Sequence, residues 1–432
     1  MCFPESTADV SCAVQVANRF DVPFVARGSG TGLAGGATPL DGALVIVTTR
    51  MNRVLEIDAE ARRAWVEPGV LNLDLTRAVA HLGLHYAPDP SSQQACSIGG
   101  NVGTNAGGPH CLAAGVTSAH VLAVEVVLPD GTVEILGGLA PDTPGLDLRG
   151  TFVGSEGTMG IATRICVRLM HDPPEIRTLL AAFTAIDDAA AAVSAVIAAG
   201  VVPAAMEMMD AQATRAVEDF VHAGLPLDAD AVLLVEVSGL VDGVSHDAAM
   251  IDEICRAHGA RTVRVAVDAA ERALLWKARK SAFGAVARIA PDYYLHDAVV
   301  PRTKLVEVIR QVYEISDRYQ LIAMNVFHAG DGNLHPLLVF DGREPGIWDR
   351  VHAAGDEILR VCIDAGGVLS GEHGIGLEKR DAMPLFFTPD DLDVQARLRD
   401  AFDPDGLANP DKILPRGSRC GEVGAIPAGA WV

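Results

Sequence analysis

The sequence has 432 residues and a formal net charge of −22, with 49% apolar and 21% charged residues. That length exceeds one ordinary domain and predicts two or three, with ample core and a globular rather than disordered character. The acidic balance excludes nucleic acid or an anionic membrane surface as a natural direct partner. Eight Cys are scattered without a CxxC or other close pair, so no zinc finger or iron–sulfur cluster of the chain's own is expected, and the thiols fit a reduced, cytoplasmic protein. The N-terminus lacks the charged-then-apolar layout of a signal peptide. The most hydrophobic window, residues 189–206, is mostly alanine and is broken by Gly200 and Pro203. A packed helix followed by a strand is expected there, not a membrane span, and the chain is expected to be soluble.

In chain order, Ser6-Thr7-Ala8-Asp9 opens a helix over 6–20 whose apolar face is Val10, Ala13, Val14 and Ala17. A short buried strand, Val22-Pro23-Phe24-Val25, leads into Arg27-Gly28-Ser29-Gly30-Thr31-Gly32-Leu33-Ala34-Gly35-Gly36. Residues 30–35 match GxGxxG, but Gly36 and Pro39 follow at once, and then a strand over 43–48, where a Rossmann loop would open a helix. The loop therefore reads as backbone N–H groups and small hydroxyls wrapped round a pyrophosphate. A second glycine run, 96–108, is introduced by Pro88-Asp89-Pro90-Ser91-Ser92. So many small residues cannot build a core, which predicts backbone approaching something large and flat. A strand over 121–128 turns at Pro129-Asp130-Gly131, and a third glycine cluster covers 153–161. Three such loops, each beside a short strand, predict one extended ligand clasped at several points.

After Pro173-Pro174 the texture changes. Strands over 176–183, 201–206, 231–237 and 262–267 alternate with helices, including 211–221 and 247–258. This reads as an α+β module, one sheet with helices on one face, serving as a lid. A helix over 271–289 carries Trp276, Lys277, Arg279 and Lys280; a strand over 292–300 and a helix over 302–319 follow. Then an apolar strand over 321–326 runs into His328-Ala-Gly-Asp-Gly-Asn-Leu-His335. Extended residues seven apart would face opposite ways, so Gly330 and Gly332 are needed to turn the two imidazoles together. That is a metal-site geometry, and imidazole suits zinc, iron, manganese or nickel. Beyond a helix over 348–365, Gly371-Glu372-His373-Gly374 offers a carboxylate and a further imidazole as a third ligand. Residues 416–432 are Gly- and Ala-rich and read as extended.

These segments together resemble the FAD-linked oxidases that share the vanillyl-alcohol-oxidase type flavin fold, in the branch that oxidises D-2-hydroxy acids. The carriers, from about Pro4 to Cys420, are Val25-Ala-Arg-Gly-Ser-Gly-Thr-Gly32, Pro88-Asp-Pro-Ser-Ser92, Ile98-Gly-Gly-Asn-Val-Gly-Thr-Asn-Ala-Gly-Gly108, Gly154-Ser-Glu-Gly-Thr-Met-Gly-Ile161, His328 to His335, Gly371-Glu-His-Gly-Ile-Gly376 and Asn409-Pro-Asp-Lys-Ile-Leu-Pro415. Arg279-Lys-Ser-Ala-Phe283 and Pro291-Asp-Tyr-Tyr294 look like the version in the catalytic flavin subunits of glycolate oxidases.

The resemblance implies an α+β architecture: an FAD-binding domain over 1–172, a ferredoxin-like cap over 173–325, a C-terminal segment over 326–415 with metal and catalytic residues, and a tail over 416–432. Family members usually carry a further helix and strand before Pro4, so the flavin domain is expected to be short at its N-terminus. It implies FAD held by Arg27, Gly28, Ser29, Gly30, Thr31 and Gly32, by Ser97, Ile98, Gly99, Gly100, Thr104, Asn105, Gly107 and Gly108, and by Glu156, Gly157, Gly160 and Ile161, with Pro88, Asp89 and Asn409 completing the set. His328, His335 and Glu372 would bind a divalent metal (zinc, iron or manganese), His373 would be the base, and Arg279 would meet the substrate carboxylate. Leu337 and Leu295 stand where related 2-hydroxyglutarate dehydrogenases carry an Asn and, nearby, a Lys. The implied substrate is therefore small, glycolate or D-lactate, oxidised to the 2-keto acid with hydride transfer to flavin N5.

The implied electron route is a partner or quinone, through a second flavin-fold subunit and an iron–sulfur subunit, with the tail as docking segment and membrane contact only through partners. FAD is expected to be non-covalent, with His110 and Cys111 the nearest approach to a tether. A stand-alone D-2-hydroxy acid dehydrogenase is the alternative. A non-catalytic flavin-fold subunit is another, but it would be expected to have lost His373 or the metal ligands, and all are present.

Overall fold

The structure, a computed structural model, describes residues 1–140 and 144–415; the tail 416–432 with its expected docking role lies outside the described residues. The opening helix is Thr7–Arg19, and the Ser6 hydroxyl accepts from the Asp9 N–H as its N-cap. Its stripe of Val10, Val14 and Ala17 packs on Phe24 and Ile46, which belong to a two-stranded parallel sheet, Phe24–Arg27 with Leu44–Val47. Beside it stands a five-stranded antiparallel sheet in the order Val54–Asp58, Arg63–Val66, Ile161–Arg168, Val121–Val127, Val133–Gly137.

The second glycine run does more than line a ligand. Its residues Ile98–Thr104 form a short helix capped by the Ser97 hydroxyl, which accepts from Gly100 N–H, and closed by Asn105 at φ 51°. Ile98 and Val102 point into the core of this half, so two apolar residues four apart suffice to seat a helix that is otherwise nearly all small.

The second half is built on a nine-stranded sheet, whose order from one edge is Ala260–Val265, Glu175–Phe183, Ala231–Gly239, Ala205–Asp210, Ile322–His328. Helices cover both faces, not one. Leu179, Ala181 and Phe183 join the core that includes the helices Ile186–Ala198 and Val241–Ala257, while Leu180 and Ala182 join a separate core with Ala211–Val221 and Ala269–Lys280. The signal was present: Ala231 to Val237 is an unbroken apolar run apart from Glu236, and each of those seven positions is buried, as a strand covered on both sides requires.

Three further differences position the site. The strand Ile322–His328 pairs with Ala205–Asp210 in this same sheet, so the expected division at 325/326 falls inside a strand. The expected strand over 292–300 is two pieces, Asp292–Leu295 and Ala298–Val299, interrupted at His296-Asp297. A helix that the periodicity did not suggest, Pro389–Phe402, begins at a capping box between Thr388 and Asp391. Among the described residues no helix is long and apolar enough to cross a membrane.

Candidate active site

A cavity of about 440 Å³ runs from the glycine loops to the imidazoles of the C-terminal half. Its wall contains Arg27, Gly28, Ser29, Gly30, Thr31 and Gly32 from the first loop, and Ser97, Gly99, Gly100, Thr104 and Gly107 from the second. Glu156, Gly157, Gly160 and Ile161 come from the third. Arg279, His328, His335, Glu372 and His373 close it from the other side. One chain thus brings three remote glycine segments and all five polar residues singled out for chemistry to one space. A Cβ built on Gly32 or Gly103 would meet no atom within 4 Å, so those glycines leave room in the cavity, whereas one on Gly160 would lie 2.6 Å from the Val127 carbonyl oxygen.

Six residues that the resemblance implied for the cofactor stand behind this wall instead. The Pro88 carbonyl accepts from Asn72, and the Asp89 carboxylate is taken by His110 and Lys280 at 2.9 and 3.0 Å. Ile98 is core, and Asn105 is a helix cap whose side-chain oxygen accepts from Ser118 N–H. Gly108 is backed so closely on Asp89 that a Cβ would lie 2.7 Å from its carbonyl. Asn409 donates its side-chain amide to the carbonyls of Gly36 and Glu156 at 2.8 and 2.6 Å, joining two of the loops.

The metal-type cluster is tight. Ligand atoms of His328, His335 and Glu372 all lie within 4.8 Å of one another. Glu372 Oε1 is 3.1 Å from His328 Nε2 and 3.3 Å from His335 Nε2. The His335 and His373 rings stack at 5.1 Å with an 11° interplanar angle, and His373 Nε2 is 3.9 Å from the same Glu372 oxygen. A second set, Asp297, His335 and His373, is equally compact, but the Asp297 carboxylate is already occupied. It accepts from Ser370 Oγ at 2.5 Å, from Gly371 and His373 N–H at 3.0 Å each, and from Lys379 Nζ at 3.2 Å. An ammonium that near disfavours a cation, so the first set is the better metal site. It fits one: two imidazoles and a carboxylate are a familiar three-ligand arrangement, and His335 Nδ1 and Nε2 are buried with no hydrogen bond.

Electrostatics sort the groups by role. Burial works to raise the Glu372 carboxyl, but His328 and His335 pull it down to about 2. Burial likewise opposes ionisation of Glu207, and Arg279 and His328 overcome it and lower its pKa. Burial and the neighbouring His335 and Lys379 depress His373, against the pull of Asp297. That ring is neutral near pH 7 and able to take a proton. Burial raises Asp331, between the two metal-type imidazoles in sequence, to about 6.

Sequence reasoning missed three residues that shape the site. Glu207 sits opposite His328 in the strand register and pairs with it; its signal was a lone carboxylate in Ala205-Met-Glu-Met-Met209. Asp297 and Lys379 organise the Glu372-His373 loop from behind, and Asp297 is flagged by a charge inside an apolar strand stretch.

The profile described as FAD linked oxidases, C-terminal domain, matches residues 172–413, and that of an FAD binding domain matches residues 1–137. The chain belongs to the FAD-linked oxidases. It is an FAD-dependent oxidoreductase, and FAD is its cofactor. The glycolate oxidase subunit GlcD of Escherichia coli K12 is 48% identical over 98% of this chain and 85% of its own length. A D-lactate dehydrogenase of Anaerostipes hadrus is 31% identical over 94% of this chain and 88% of its own. Among solved structures, the 4-ethylphenol oxidase of Gulosibacter chungangensis superposes with a TM-score of 0.79 at 22% identity, covering 96% of this chain and 90% of that one. The α+β fold of the vanillyl-alcohol-oxidase type is thereby established.

Proposed function

We propose that the chain oxidises a small D-2-hydroxy acid, glycolate or D-lactate, to the 2-keto acid, with His373 as base and Arg279 as carboxylate anchor. The observation that carries this is the convergence, at one end of the FAD cavity, of a neutral imidazole, a two-His-one-carboxylate cluster and a guanidinium whose Nε and Nη1 are buried without a hydrogen-bond partner. When bound, FAD supplies the acceptor for the C2 hydride, and a divalent metal (zinc, iron or manganese) held by His328, His335 and Glu372 supplies polarisation of the substrate hydroxyl. His373 takes the hydroxyl proton at a ring nitrogen. Arg279 holds the carboxylate with a planar fork that a Lys could not reproduce. Leu295 and Leu337 are apolar and buried, which leaves no cation or amide at those two positions for a second carboxylate. The cofactor wall in this reading keeps Arg27 to Gly32, the Ser97 to Gly107 segment and the Glu156 to Ile161 segment, with Asn409 as a tie between loops. FAD is non-covalent, since His110 is engaged by Asp89 and Glu236 and lies outside the cavity wall.

The relatives named as subunits support an assembly in which electrons leave through partners. In this reading these are a second flavin-fold subunit and an iron–sulfur subunit, and the chain acts in the cytoplasm, meeting the membrane only through them. The test is anaerobic mixing of the FAD-loaded, metal-replete chain with glycolate, D-lactate, L-lactate and D-2-hydroxyglutarate. Bleaching of the flavin band by one of the first two, and not by L-lactate or the dicarboxylate, is the expected result. No bleaching by any of the four overturns the reading.

A further inference from the structure

Glu207 is fully buried, in the middle of a strand, and both of its oxygens are engaged. Oε1 and Oε2 lie 2.8 and 2.9 Å from His328 Nδ1. Oε2 also lies 2.5 Å from Arg279 Nη2. These two partners come from different elements, His328 from the facing strand and Arg279 from the helix Ala269–Lys280. A carboxylate that accepts from Nδ1–H fixes the ring orientation and directs Nε2 away from the strand pair. That Nε2 is the atom facing Glu372 and the metal position. On Arg279 the carboxylate ion-pairs at the Nη2 end, and the guanidinium nitrogens are buried at the cavity wall without hydrogen-bond partners. Burying a carboxylate on a strand is costly unless it is paired and hydrogen-bonded, and Glu207 is paired on both sides.

We propose that Glu207 is a positioning residue that aims His328 at the metal and Arg279 at the substrate carboxylate at once. One side chain then sets the spacing between the two recognition points of a 2-hydroxy acid, its hydroxyl at the metal and its carboxylate at the guanidinium. Metal binding and anion binding are mechanically joined through it. The inference rests on the metal and anchor roles proposed above, and adds to them a residue that touches neither the substrate nor the metal.

The test uses the full chain loaded with FAD, as wild type, Glu207→Gln and Glu207→Asp. Zinc affinity is read by competition with a chromophoric chelator, and oxalate affinity from the perturbation of the flavin absorbance at saturating zinc. In Glu207→Gln, zinc affinity is expected to fall about 10–100-fold, the usual effect of removing an outer partner of a metal-bound imidazole. Oxalate is expected to weaken by about tenfold even when zinc is saturating, because the charge-assisted hold on Arg279 is gone, while FAD content stays at the wild-type level. Glu207→Asp keeps the charge one methylene shorter and is expected to lose less of both affinities, in parallel. If Glu207→Gln binds zinc and oxalate as wild type does, or loses only one of them, the joint positioning role is wrong. Should Glu207→Gln fail to fold, unequal losses in Glu207→Asp overturn it in the same way. A wild-type chain that binds no zinc, iron or manganese fails differently: it removes the metal reading itself.

Discussion

Lys379 Nζ lies 2.6 Å from the main-chain carbonyl of Asp297 and 3.2 Å from its carboxylate, fastening the loop that carries Glu372 and His373 to a break between two strands. Burial works to raise the Asp297 carboxyl, but Lys379 and His373 hold it well below the ordinary carboxylate range. The loop backbone turns its N–H groups onto that one charge. Asp297→Ala should leave Lys379 unpaired in the interior and cost roughly 3–5 kcal/mol. Denaturant titration of the purified variant measures it; a loss under about 1 kcal/mol, the size of an exposed pair, would show that the loop is held by other means.

His110 bridges the two halves: its ring meets Asp89 at 2.9 Å in the flavin half and Glu236 at 3.2 Å in the cap. Burial works to lower its pKa, yet the two carboxylates lift it to about 10. A group raised above its unfolded value of about 6.5 gives stability that is complete below that pH and is lost as the pH climbs toward 10. Wild type should therefore lose stability between pH 6.5 and 10, on the order of a few kcal/mol. A His110→Gln variant should show a flatter profile over the same range. Parallel profiles in chemical denaturation would refute the bridge as a charged one.

His373→Asn should keep flavin and metal while slowing flavin reduction by about 10²–10⁴-fold, the span for a removed general base. Arg279→Lys should act mainly on KM, because the forked contact is lost while the charge remains. Stopped-flow reduction that is unchanged in the His373 variant would move the base elsewhere.

His328→Ala, His335→Ala and Glu372→Ala should each abolish activity and lower metal content with FAD still bound, since losing one of three protein ligands collapses a site of this type. Metal analysis beside the flavin spectrum of the same samples reads both. Full activity in a metal-stripped wild type would sink the metal's role.

The eight Cys form no close pair of the kind that cluster motifs use. Turnover with oxygen should be slow, and turnover with an artificial dye fast. Peroxide formation at the dye-assay rate would identify a self-sufficient oxidase.

The motifs with glycine or histidine at their ends were readable in the sequence because their chemistry forbids most substitutes: Arg27 to Gly32, Ser97 to Gly107 and His328 to His335 all reach the cavity wall. What stayed hidden were residues whose meaning is set by a neighbour far along the chain. Glu207 gains its role only when its strand pairs with His328, 121 positions later, and Asp297 only when the Glu372 loop folds onto it. The second helix layer was missed for another reason. An apolar run in a strand says that both faces are covered but not by what, and Ala211–Val221 has no sequence mark that puts it opposite Ile186–Ala198.

Asn409 closes the molecule on its own beginning: its N–H donates to the Phe24 carbonyl at 2.7 Å, Phe24 N–H donates to Leu407 at 2.9 Å, and its side chain reaches Gly36, 373 positions earlier. Phe24 is thus held on one side by the neighbouring strand Leu44–Val47 and on the other by a segment from the far end of the described chain. The glycine loops brace one another locally, Ser29 N–H on Ser97 and Glu156 N–H on Gly103, and the Asn409 amide adds a tie from Gly36 to Glu156, so a substitution at Asn409 would loosen the flavin wall from a position remote from it in sequence.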